Sequence, residues 1–251
     1  MSENVISRCH GFQCSSTSLI RAHIIPKGFA RFLRQDGSNI RISAKAVGTA
    51  RQQLGEYDDQ ILCESCDNKL GTFDKYAVEI CRTFPQHHIR TGPDKFEFPN
   101  FEGDKFCKFV LAVLWRSSIS KRTPFVPVQL GPYENVARDI LFGARPLSDI
   151  PGFDVFAERY TSTKTDPMAW LFHAVKKPMF GRTGYGLVLG GFRILAKVSN
   201  AKVPAEFRPF VLNGKDTMRG WFIVLEETPE FAYVAQLAQQ RRGKRLTLSN
   251  N

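Results

Sequence analysis

The sequence contains no apolar run approaching the roughly 20 residues that a membrane helix needs. It has no apolar signal-like core behind Met1. A soluble, cytoplasmic chain with no membrane partner is therefore expected. Nothing repeats at a fixed period, which argues against a solenoid or propeller. No low-complexity tract is present. Acidic residues are short in supply: 24 Asp and Glu stand against 35 Lys and Arg, a formal net charge of +11. A cationic surplus of this size favours a polyanionic partner through phosphate neutralisation and counterion release, without proving one. The C-terminal half lacks a P-loop, a dinucleotide-binding glycine motif and a hydrolase nucleophile elbow. Its glycine-rich stretch "GRTGYGLVLGG" reads as strand and turn.

The chain has 251 residues, of which 43% are hydrophobic, enough for a packed core. The N-terminal third is loop-rich. "SLIRAHIIP" carries the β-branched run of a strand stopped by Pro26, and "KGFARFLRQDG" reads as a short basic helix or loop. Residues 41–58 show no clear period and read as irregular. "DDQILC" reads as a short strand. Phe73, Tyr76, Ala77 and Ile80 fall on one helical stripe, with Thr72 as its N-cap and Asp74 as a first-turn acid. The stretch from Pro85 to Asp104 looks like a connection. Phe106, Phe109, Val110, Val113 and Leu114 mark the strongest helix, and "PYENVARDILFG" a second that stops at Gly143. Beyond residue 150, "AWLFHAVKK", "GYGLVLGGFRILAKVS", "FRPFVLNG" and "MRGWFIVLEE" read as strands separated by turns, and "PEFAYVAQLAQQRRGKR" as a closing helix running into a basic tail. The expected fold class is α+β. A small metal-stabilised module, 1–92, precedes an α+β body, 93–251.

Six cysteines are present, and four are grouped as Cys9/Cys14 and Cys63/Cys66. The spacing is C-x4-C, then C-x2-C at the start of a helix. Two such knuckles can offer four thiolates to one tetrahedral Zn²⁺ at about 2.3 Å each. In a small, loop-rich module, that binding energy is folding energy, on the order of 10–16 kcal/mol. Cys81 and Cys107 sit in apolar surroundings and read as core residues.

The segments "CHGFQC", "RAHIIPK" and "ILCESCDNKLGTFDKYA" together resemble the HNH endonuclease superfamily, in a branch with an "SHIIP…LLCxxCE" pattern. The resemblance covers about the first 120 residues. It implies a treble-clef-like ββα-metal module, structural zinc on the four cysteines, DNA as substrate and Mg²⁺ or Mn²⁺ as catalytic ion. It also implies roles. His23 takes the place of the general base. Asp67 takes the place of the family's last histidine, a metal ligand, and is followed by Asn68. Asp74 takes the place of a glutamate further along the helix. Asp58 and Asp59 stand where the family has its middle asparagine, and Ala22 where many members have a metal-binding acid. Proteins of this look often serve anti-phage or restriction-like defence, with a regulatory protein partner as one option for the downstream body.

Each residue also has a plainer reading. Asp67 can be a helix cap, Asp58 and Asp59 a solvated turn, and His87 and His88 an exposed loop. Arg21, Lys27, Arg31 and Arg34 form a basic cluster around His23, either a solvated face or phosphate contacts. Arg116 is either a buried ion-pair partner or a phosphate ligand. The alternative to a nuclease is an inactive zinc module that binds nucleic acid or a protein.

Overall fold

Between Gly103 and Ile119 the apolar residues are so dense that the helix they form is buried on nearly every side. A helix apolar all round belongs in the middle of a fold. In the computed structural model of the chain this helix, α3, is the central rod. The structure describes residues 7–32, 40–42, 49–51, 57–121, 128–236 and 239. Against α3 pack α2 (Glu64–His87), α4 (Tyr133–Leu141) and a seven-stranded sheet. The whole is a mixed helix-and-sheet fold of the α+β kind. Among the described residues no helix is long and apolar enough to cross a membrane.

The N-terminal elements are short. Strand β1 is Ala22–His23, helix α1 is Lys27–Phe32, and strands β2 and β3 are Ile40–Ile42 and Thr49–Arg51. Strand β4 is Tyr57–Asp58. β2 and β3 pair antiparallel, so the stretch read as irregular contains a small hairpin. β1 and β4 pair antiparallel, with Ala22 opposite Asp58 and His23 opposite Tyr57. Ile61 and Leu62, expected in a strand, instead are buried just before α2.

Helix α2 starts at the second cysteine pair, with Cys63 as its N-cap, and runs unbroken through Gly71. Thr72 is therefore not an N-cap; it lies mid-helix with its hydroxyl donating to the Lys69 carbonyl at 2.9 Å. Asp74 lies in the third turn, not the first. A mid-helix glycine costs about 1 kcal/mol, and the buried stripe of Cys66, Leu70, Ala77, Ile80, Cys81 and Phe84 outweighs it.

The sheet begins where a connection was expected. Strands β5 (Ile89–Arg90) and β6 (Lys95–Phe98) form a hairpin. Strands β7 (Phe153–Thr161), β8 (Phe172–Lys176), β9 (Gly184–Leu189), β10 (Phe192–Val198) and β11 (Met218–Val224) complete it. The order is β5-β6-β11-β7-β10-β9-β8, antiparallel throughout except for β11 beside β7. The β9–β10 turn uses Gly190 and Gly191 at φ of 55° and 79°, the left-handed pair of a tight hairpin. "FRPFVLNG" is not a strand: Ala205–Phe210 is a 3₁₀ turn containing Pro209, which has no amide to give a ladder. Residues 229–236 of the expected closing helix are helical, and its part from residue 240 on lies outside the described residues.

One hydrophobic core runs from Cys9 through α2 and α3 to Met218. Phe84, near the end of α2, packs its ring edge-on against Phe96 of β6 and Phe192 of β10, at 4.8 and 4.9 Å between centroids. The division drawn at residue 92 thus falls inside the β5–β6 hairpin, and its two sides share a single core.

Candidate functional site

The two cysteine knuckles meet. The Sγ atoms of Cys9, Cys14, Cys63 and Cys66 all lie within 4.8 Å of one another, and Cys14 and Cys63 are 3.7 Å apart. Ligands about 2.3 Å from a tetrahedral zinc stand roughly 3.8 Å from each other, so the spacing fits a zinc ion. It is far too long for disulfides, whose sulfurs sit about 2.05 Å apart, and all six cysteines are free.

Backbone geometry builds the cluster. The amides of Gly11 and Cys63 donate to Cys9 Sγ at 3.4 and 3.3 Å. The first knuckle is tied to the second by His10 N–H to the Ile61 carbonyl, at 2.9 Å. Gly11 is needed for close approach, since a Cβ there would lie 2.4 Å from Cys66 Sγ. Burial pushes the Cys9 and Cys66 thiols up. Burial also opposes ionisation of Cys63, but donation from the Cys66 amide and the neighbouring thiols wins and brings it down to about 7. One thiolate forms readily, and a bound cation would offset the mutual repulsion of the rest. The four cysteines can therefore hold a metal ion such as zinc.

Beside the cluster, α2 and the β1–β4 ribbon gather charged groups. His23 is half-buried, its ring edge-on to Tyr57 at 6.5 Å. Asp67 is in the first turn of α2, also half-buried. Burial raises its carboxyl above the ordinary range; Arg116 opposes this, Asp74 reinforces it, and His23 opposes it. These influences place His23, Asp67, Asp74 and Arg116 in one neighbourhood.

Asp74 is already engaged. Arg116 Nη1 and Nη2 donate to its two oxygens, both at 2.8 Å, and Arg116 is 1% exposed. Of the two readings of Arg116, the structure selects the buried ion pair. Asp67 and Asp74 lie on one face of α2 but two turns apart, about 10 Å along the axis. They do not converge on a single ion. Asn68 is exposed at the next helical position, turned about 100° from Asp67.

Asp58 corrects the solvated-turn reading. It is 1% exposed, accepts from the Gln60 amide at 2.8 Å and from Ser120 Oγ at 2.7 Å, and so fastens β4 to the end of α3. Of the two acids named for the place of a middle asparagine, Asp58 is thus committed to the fold, and Asp59 beside it is half-buried. Ala22 is fully buried. His88 corrects the exposed-loop reading too: it is half-buried and stacks on Phe84 at 4.7 Å, while His87 is exposed in the last turn of α2. Cys81 and Cys107 are buried, as core residues should be.

Among the basic residues, Arg21 is exposed with its guanidinium over Tyr57, 5.1 Å from the ring centre. Lys27 and Arg31 are exposed and one turn apart on α1. Arg34 lies outside the described residues. Sequence reasoning missed Ser120 and Tyr57. Ser120 had no local signal, because its partner Asp58 is 62 positions away.

Comparison with known proteins finds no matching family model, no matching curated protein and no matching solved structure.

Proposed function

We propose that the chain is a metal-dependent endonuclease of HNH type acting on DNA, with a treble-clef-like ββα module held by zinc on Cys9, Cys14, Cys63 and Cys66. The observation that carries this reading is one juxtaposition. His23 sits on a two-stranded ribbon, and Asp67 sits in the first turn of the helix that starts at the cysteine cluster, close enough for His23 to act on its carboxyl.

In this reading His23 accepts a proton from water as the oxygen attacks phosphorus, and the bond from phosphorus to the leaving oxygen breaks. Asp67, with the exposed Asn68 next to it, would hold Mg²⁺ or Mn²⁺. Such an ion supplies charge stabilisation for the phosphoryl group and leaving oxygen. One carboxylate is a thin donor set, yet Mg²⁺ commonly binds one or two carboxylates plus waters and substrate phosphates. Burial and Asp74 make Asp67 harder to ionise, which a divalent ion beside it would reverse. Arg21, Lys27 and Arg31 lie exposed near the ribbon and would take phosphates of the strand.

The second reading is a zinc module that binds nucleic acid without cutting it. The Arg116–Asp74 pair and Ala22 favour it, because both remove carboxylates that a catalytic ion could use. Plasmid nicking with Mg²⁺ or Mn²⁺ separates the two. The nuclease reading expects cleavage by the native chain and a loss of about 100-fold or more in His23→Ala. Cleavage that survives His23→Ala unchanged sinks the site assignment. DNA binding without cleavage under either metal establishes the second reading.

A further inference from the structure

Partners across an antiparallel pair share a face, and neighbours along a strand alternate. His23 and Tyr57 therefore project to one side of the β1–β4 ribbon, and Ala22 and Asp58 to the other. On the Asp58 side a cavity of about 710 Å³ opens against the outside of the first cysteine knuckle. Its size falls in the range of small-ligand sites, about 300–1,000 Å³. Cys9 and Cys14 of the cysteine cluster form part of its wall, but the nuclease reading places no substrate in it.

The lining is cationic. Arg8 comes from just before the knuckle, Lys121 from just past α3, and Arg138 from α4. Arg8 and Lys121 have no acidic partner among the described residues. Arg138 directs Nε and Nη2 to Asp139, its neighbour in the chain, at 3.0 and 2.9 Å, and keeps Nη1 for another acceptor. The acid in the lining is Asp58, whose two oxygens are already taken by the Gln60 amide and Ser120 Oγ. Glu134, near His10, is held by the Ser118 hydroxyl. Asp58 and Glu134 keep their negative charge, so the cations open to a ligand are Arg8 and Lys121, both exposed and neither ion-paired among the described residues. Ile61 and Ile119 add an apolar wall.

A concave site with several cations and an apolar wall suits a ligand that carries a phosphate and a flat ring. We propose that this cavity binds the phosphate and base of a nucleotide, either free or at the end of a strand. The proposal is independent of the nuclease reading, since it concerns the opposite face of the ribbon.

Calorimetric titration of the full chain, purified with zinc, tests it. The probes are ADP, a short 5′-phosphorylated oligothymidylate, and thymidine as the phosphate-free control. Saturable binding is expected for at least one phosphate-bearing probe, weakening with added salt, and none for thymidine. ADP alone assigns a free nucleotide, and the oligothymidylate alone assigns a strand end. Lys121→Glu and Arg8→Glu change exposed side chains, so the fold survives, as circular dichroism would verify. Each is expected to weaken binding about tenfold, equivalent to about 1.4 kcal/mol. The proposal is overturned if neither phosphate probe binds saturably. It is also overturned if the Arg8→Glu/Lys121→Glu double variant binds as tightly as the native chain.

Discussion

Arg116 and Asp74 form a two-pronged ion pair, 42 residues apart in sequence, that closes α3 onto α2 beneath the candidate site. Arg116 is 1% exposed and its partner's side chain 14%. Breaking such a pair leaves a charge stranded in a low-dielectric setting, at a cost of about 3–5 kcal/mol.

Arg116→Met is accordingly expected to lower unfolding free energy by about that amount, because Asp74 is left uncompensated. The double variant Arg116→Met/Asp74→Leu should recover most of the loss. Urea denaturation of the three proteins checks this. Equal destabilisation of the single and double variants would mean that packing, not charge, sets the cost.

Gly11→Ala should disrupt the cysteine cluster without removing a ligand. The added methyl meets Cys66 Sγ at 2.4 Å. Zinc retention against a chelator, measured by competition, is expected to fall about tenfold or more, with Gly11→Ala binding less zinc than Gln13→Ala. A variant that retains zinc like the native chain would show that the knuckle can shift to make room.

The six thiols should divide into two classes. Cys81 and Cys107 are buried, and burial raises both, Cys81 to about 12. A thiol that far up carries almost no thiolate at neutral pH. A disulfide-exchange reagent should leave both untouched in the native state. Chelator should release four reactive thiols first and all six only on full unfolding. Early reaction of Cys81 or Cys107 would contradict the packing.

A fragment ending at residue 92 should not fold independently, although the motif-bearing segment ends before it. Removing the rest strips β6, α3 and β10 from α2 and leaves Phe84 and Cys81 in water. Far-ultraviolet dichroism of the fragment with zinc should show a largely disordered chain. A cooperative thermal transition would instead make the N-terminal third a domain in its own right.

The parts legible in the sequence were those governed by near neighbours. The period of Phe106, Phe109, Val110 and Val113 marked α3, Gly143 marked the end of α4, and Gly190-Gly191 marked a hairpin. The cysteine spacing indicated the cluster. Long-range contacts hid the rest. Gly71 and Thr72 resemble a helix start, and only the buried stripe beneath them carries α2 through. "KFEF" alternates as a strand should, but Pro and Gly on either side masked it, and its partner β11 lies more than a hundred residues on. Asp58 reads as a turn residue until Ser120 arrives from α3. For the candidate site, His23 and Asp67 were named from the resemblance, while the engagement of Asp74 by Arg116 needed the tertiary fold.

Helix α2 also acts as a ruler. Cys66 and Phe84 lie about five helical turns apart, roughly 27 Å along the axis, so both face the same side. One end is pinned at the cysteine cluster and the other at the aromatic junction with the sheet. Inserting a single residue between them would turn one anchor about 100° away from its seat. The length of this segment is therefore fixed in phase, and natural variants should add or remove residues elsewhere before they do so here.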